Sequence, residues 1–196
     1  MNFNPAIVFF PGMILHELSH YLACIFLNVR VHRVKLFDVQ SAFVVHEKPN
    51  AWKAVLITLA PFFLNTFLGL EIFGIAFGFL DSNFLFSLFF LWLGVSLIYF
   101  SFPSLQDAKN AFDSSIEFYD DRIFKKGSLL QKIFWLFTFP FIFIPLILIL
   151  AVMLAFHFSF ALRILWIIFI LFFSFDPSSA LGIVSSLNNA IAGFFA

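Results

Sequence analysis

Five apolar runs, each about as long as a bilayer is thick, limit what this chain can become. A helix needs about 20 apolar residues to cross the hydrocarbon core. In lipid, each backbone polar group must be satisfied within the protein. The runs cover about residues 5–27, 51–80, 84–102, 130–156 and 158–175. The 196 residues are 62% hydrophobic and only 11% charged, against about 25% charged in a soluble domain. This composition implies an integral, all-α polytopic membrane protein of five or six transmembrane helices, surrounded by membrane lipid. The formal net charge is zero, so no nucleic-acid partner is implied. The single cysteine, Cys24, excludes an internal disulfide and a Cys-rich zinc site. No basic stretch precedes the first run, which is therefore expected to remain as a mature helix, not a cleaved signal peptide.

The polar stretches set the topology. Val29 to Leu36 alternates apolar and polar residues, and Ser41 to His46 forms a second short β-like run. A β-hairpin at the membrane surface, after the first helix, is expected. Pro61, Asn65 and Glu71 interrupt the second run, and Pro140 and Pro145 should kink the fourth. Ser104 is a helix N-cap candidate. The tail over 176–196 is weakly apolar and suits either the interface or a sixth span. Residues 28–53 and 104–132 each hold five Lys or Arg, whereas the turns near 81–83 and 157 hold none. The positive-inside rule then places both rich loops in the cytoplasm, with the N-terminus and the turn at 157 outside.

Chemistry enters at His16-Glu17-Leu18-Ser19-His20, an H-E-x-x-H inside the first apolar run. Residues four apart share a helix face. His16 and His20 can therefore ligate one metal ion, with Glu17 beside them as a general base. Ionisable side chains at membrane depth are costly and point to function; the bland alternative is a His–Glu pair that only packs helices together. A catalytic zinc needs a third protein ligand. Phe26 excludes a third His at the metzincin position. Asp107 is preferred because Pro103 can bend the chain back after the third run; Asp113 and Glu47 are the other candidates. The bland role for Asp107 is a helix-start carboxylate stabilised by the dipole. His32, His46 and His157 read as surface residues, and Glu71 as a helix contact.

Three stretches together resemble the site-2 protease family of intramembrane zinc metalloproteases. They are His16 to His20 followed by Tyr21-Leu22-Ala23, then Ala60-Pro61-Phe62-Phe63-Leu64-Asn65, similar to the family's G-P-x-x-N, and then Leu93-Gly94 through Phe102-Pro103-Ser104-Leu105-Gln106-Asp107. The third is similar to L-G-x-x-N-x-x-P-x-F-P-x-D-G, but Leu97 replaces an Asn, Phe100 replaces a Pro, Asp107 comes two residues late and Ala108-Lys109 replace the glycines. The resemblance implies a metalloprotease-like core over 1–113, with additional helices and a tail over 114–196. It implies zinc held by His16, His20 and Asp107, with Glu17 as general base and Asn65 hydrogen-bonding substrate or oxyanion. The implied activity is endopeptidase cleavage of a transmembrane protein substrate. The implied setting is a prokaryotic plasma membrane, with the site toward the cytoplasm. A zinc-binding scaffold without proteolysis and a small metal or proton transporter are the competing functions. No inverted repeat of the transporter kind is seen.

Overall fold

A computed structural model describes residues 5–38, 42–125 and 127–175. The elements in order are α1 (Pro5–Val8), α2 (Phe10–Phe26), β1 (Val31–Lys35), β2 (Phe43–His46), α3 (Ala51–Gly78), α4 (Phe84–Tyr99), α5 (Leu105–Asp120), α6 (Leu129–Phe158) and α7 (Phe160–Phe175). A π-helical turn, Asp121–Lys125, follows α5. The protein is thus all-α with one two-stranded antiparallel sheet, in which Val34 pairs with Val44 and Lys35 with Phe43. The 176–196 tail lies outside the described residues, and α5 runs through residue 113 without a break.

Among the described residues two helices, α3 with 28 residues and α6 with 30, are long and apolar enough to cross a membrane. The apolar helices α4 and α7 are shorter, at 16 residues each. Only 17% of the most apolar stretch of α6 is buried within the protein. Most of its Phe and Ile side chains, Phe134, Phe137, Phe141 and Ile144 among them, therefore face outward, as association with a membrane requires and a soluble core does not.

The first apolar run is not one helix. It breaks at Phe9, and Pro11 stands in the first turn of α2, where its missing N–H leaves no bond unmade. Side chains of α4 satisfy the backbone at the break. The Ser96 hydroxyl donates to the Phe9 carbonyl at 2.9 Å and accepts from the Gly12 N–H at 2.8 Å. The Trp92 indole N–H donates to the Val8 carbonyl at 3.1 Å. A Cβ on Gly12 would lie 1.8 Å from the Ser96 carbonyl oxygen, so only glycine allows α2 and α4 this close.

The second helix of the core, α3, is the axle of the fold and packs on α2, α4, α5 and α7. Asn50 caps it by accepting from Lys53 N–H, and Pro61 sits inside it, fully buried. The main core cluster joins Phe73 of α3 to Ile98 and Tyr99 of α4 and to Ile167 and Ile170 of α7.

The last two helices correct one sequence expectation. α5 runs antiparallel to the first half of α3, its Asp107 carbonyl accepting from the Thr58 hydroxyl. α6 runs antiparallel to α5, with ring contacts of Phe139 on Tyr119 and Phe143 on Phe112, and Leu150 on Ala108 and Ala111. It continues until Phe156 stacks on Phe102 at 4.8 Å. α7 then follows the second half of α3, from Trp166 on Phe62 to Phe175 on Phe77. Both helices therefore travel in the direction of α3, one after the other. The turn near His157 is therefore level with the middle of α3, not with either of its ends, and borders the residues described next.

Candidate metal centre

His16 and His20 lie on the buried face of α2, 8% and 5% exposed. Each ring is held from behind by a backbone carbonyl. His16 Nδ1 is 2.8 Å from the Phe100 oxygen, just past the end of α4, and His20 Nδ1 is 2.8 Å from the Ile57 oxygen on α3. A carbonyl only accepts, so Nδ1 carries a proton in both rings and Nε2 is the atom that each ring turns inward. The two Nε2 atoms are 3.2 Å apart.

The carboxylate of Asp107 faces both. Its Oδ2 is 3.6 Å from His16 Nε2 and 3.4 Å from His20 Nε2. The aim comes from the start of α5. Phe100 to Ser104 is non-helical and Pro103 is fully buried. Ser104 caps α5 and forms a capping box with Asp107. Ser104 donates to Oδ2 from its backbone N–H at 2.8 Å and its hydroxyl at 2.6 Å. The oxygen that takes these helix-start bonds is therefore the same one that faces the two imidazoles. Burial alone would push this carboxyl up, but His20 and His16 against it hold it well below the usual carboxylate range.

These three residues are the group that could hold a metal ion among the described residues. Their donor atoms form a triangle with sides of 3.2, 3.4 and 3.6 Å. Ligands at about 2.0–2.1 Å around a tetrahedral zinc sit about 3.3 Å apart, so the triangle fits. Atoms this close repel unless a proton or a metal cation lies among them. The carbonyls behind the imidazoles are the outer partners that fix ring orientation in metal sites.

Glu17, next on α2, lines two cavities that flank the centre. One, of 170 Å³, lies toward β2, α3 and α5 and includes His20, Asp107 and His46. The other, of 230 Å³, lies toward the ends of α4 and α6 and includes His16, His157 and Arg163. Ala42 and Ser104 border both.

Asn65 is fully buried on α3. Its amide donates to the Gly12 carbonyl at 3.3 Å and the Phe100 carbonyl at 3.2 Å, and accepts from the Ser19 hydroxyl at 3.3 Å. It ties α2, α3 and the end of α4 together, and shares with His16 the carbonyl that orients that ring. Asp113 is six residues along α5 from Asp107, about 9 Å further down the axis. Glu47 accepts from the Arg30 N–H on the hairpin. Neither joins the cluster. Among the residues that the sequence reading left at the surface, His46 and His157 line the two cavities. Arg163 went unremarked there. The one signal for it was its isolation, since the other ten Lys and Arg lie in the two basic loops.

No protein family, curated protein or solved structure matches the chain.

Proposed function

We propose that this protein is an intramembrane zinc metalloendopeptidase, a divergent relative of the site-2 proteases, with α2, α3, α4, α6 and α7 embedded in the membrane. The observation that carries the reading is the convergence of His16 Nε2, His20 Nε2 and Asp107 Oδ2 within one triangle, with the Glu17 carboxylate bordering the cavities on both sides. Zinc bound there supplies Lewis acidity, which acidifies water and polarises a peptide carbonyl. The chain's own groups do the rest. His16 and His20 hold the ion through Nε2, because the Phe100 and Ile57 carbonyls keep the protons on Nδ1. Asp107 contributes the oxygen ligand and offsets part of the charge. Glu17 accepts the proton of the attacking water and delivers it to the leaving amine. The substrate is a segment of a membrane protein, unwound enough to lie between the two cavities. We read the site as facing the cytoplasm of a prokaryotic cell; the two basic loops support the side through the positive-inside rule.

The test is Glu17→Gln in purified protein. Zinc stoichiometry equal to wild type with cleavage of a transmembrane substrate abolished is the expected result. Equal cleavage by the variant would end the mechanism. Zinc binding without cleavage by wild type against a panel of transmembrane segments would favour a scaffold.

A further inference from the structure

We propose that the cavity beside His16 is a carboxylate-binding subsite, in which the Arg163 guanidinium receives an anionic group of a ligand lying next to the metal centre. The origin of that ligand as a peptide rests on the peptidase reading; the binding itself does not.

Arg163 is the only charged residue of α7, a helix otherwise made of apolar residues and Ser174. An Arg at membrane depth is expected to turn inward and find a partner. It turns into the 230 Å³ cavity, whose walls include Met13, Tyr99 and Phe102. Its guanidinium lies 4.7 Å from the centre of the Tyr99 ring. Its Nε donates to the Phe156 carbonyl at 3.1 Å and its Nη2 to the His157 carbonyl. These carbonyls are left over in the last turn of α6. Arg163 thus caps α6, and the cap holds the side chain still.

The cap does not neutralise it. Among the described residues no carboxylate lies within 4.0 Å of Arg163, as the ion pairs elsewhere do. Two of the five guanidinium N–H groups are accounted for by carbonyls, and a guanidinium edge matches a carboxylate. Two acids border the same cavity. Asp38 is paired with Lys35, and Glu17 belongs to the metal centre. The apolar surfaces of Met13, Tyr99 and Phe102 lower the local dielectric, which strengthens the pull on an anion. The volume holds about seven waters, which suits one residue and its carboxylate better than a continuing helix. The carboxylate has two sources, the end of a chain or an Asp or Glu side chain.

The experiment measures equilibrium binding of N-acetylglycine, N-acetylaspartic acid 1-amide and neutral N-acetylglycinamide to the full-length protein. It is run with and without chelator, so that carboxylate held by metal is separated. At least one charged probe should bind the chelated protein tenfold or more tightly than the neutral one, and which of the two does so names the source. In Arg163→Gln the preference should fall to within twofold, with zinc stoichiometry unchanged. Equal binding of charged and neutral probes, or a preference that survives Arg163→Gln, overturns the proposal. If that variant does not fold, phenylglyoxal modification of wild type decides. The preferred probe should protect Arg163 and leave Arg122 reactive, and lack of protection overturns the subsite. Cleavage by wild type and Glu17→Gln is scored separately, so the subsite and the peptidase reading can each fail alone.

Discussion

At the scale of single residues, the centre stands or falls on three side chains. His16→Ala and His20→Ala should each remove stoichiometric zinc, measured by metal analysis of purified protein, because two remaining ligands leave the ion short of its usual set. Retention of full zinc by the double variant would sink the site. Asp107→Asn should weaken zinc binding and abolish cleavage, whereas Asp113→Asn should change zinc affinity less than about twofold, given its position about 9 Å along α5. The histidines were legible in the sequence because a four-residue spacing maps onto one helix face whatever surrounds it. Asp107 was legible only as the best of three acids. What aims it is the bond pattern of Ser104, N–H and hydroxyl to one carboxylate oxygen, and such a pattern follows from backbone angles after Pro103, which residue types do not specify. The carbonyls of Phe100 and Ile57, which fix the rings, have no sequence signal, since every residue carries one.

At the scale of elements, close approach and capping decide how well the site is held. Gly12→Ala forces a methyl against the Ser96 carbonyl, 1.8 Å from an ideal Cβ. It should cost about 1–3 kcal/mol as overpacking, read as a lower unfolding temperature in detergent. Gly74 is the control, because nothing lies within 4 Å of a Cβ there; Gly74→Ala should be neutral or raise stability by up to about 1 kcal/mol. Ser104→Ala removes the cap of α5 and a hydrogen bond to Asp107 at once. It should cost about 1 kcal/mol of stability and, more tellingly, about 10–100-fold in zinc affinity. An unchanged zinc affinity would mean that the cap does not orient the ligand. Most element bounds were legible: α3, α6 and the strand pair lie within a few residues of the apolar and alternating runs. The split of the first run at Phe9 was not, because the carbonyls it frees are satisfied by Ser96 and Trp92, more than 80 residues away.

At the scale of the whole molecule, hydropathy read the order of the helices but not their direction. Alternating turns between opposite faces put the turn at His157 outside. The chain instead carries α6 and α7 along α3 in succession, and contacts between residues as many as 104 apart, such as the Ser174 hydroxyl donating to the Leu70 carbonyl, set that course. The two basic loops are a different matter. Lys48, in the first, pairs with Glu117, in the second, so they share one side of the membrane whichever side that is. The turn after α3 lies at the other end of that 28-residue helix, about 40 Å away at 1.5 Å per residue. Cysteines introduced as Lys48→Cys and Lys125→Cys should therefore react alike with an impermeant thiol reagent, and Ser82→Cys oppositely. The native Cys24 is fully buried and should add little background. With the positive-inside rule deciding the sign, the first two should be silent from outside intact cells and react once the cells are opened, while Ser82→Cys reacts from outside. Inverted labelling of all three would turn the protein over and place its metal centre toward the exterior, leaving the fold intact. Discordant labelling of Lys48→Cys and Lys125→Cys would break the packing of the first loop against α5, and with it the wall of the cavity that β2 and α5 build around Glu17.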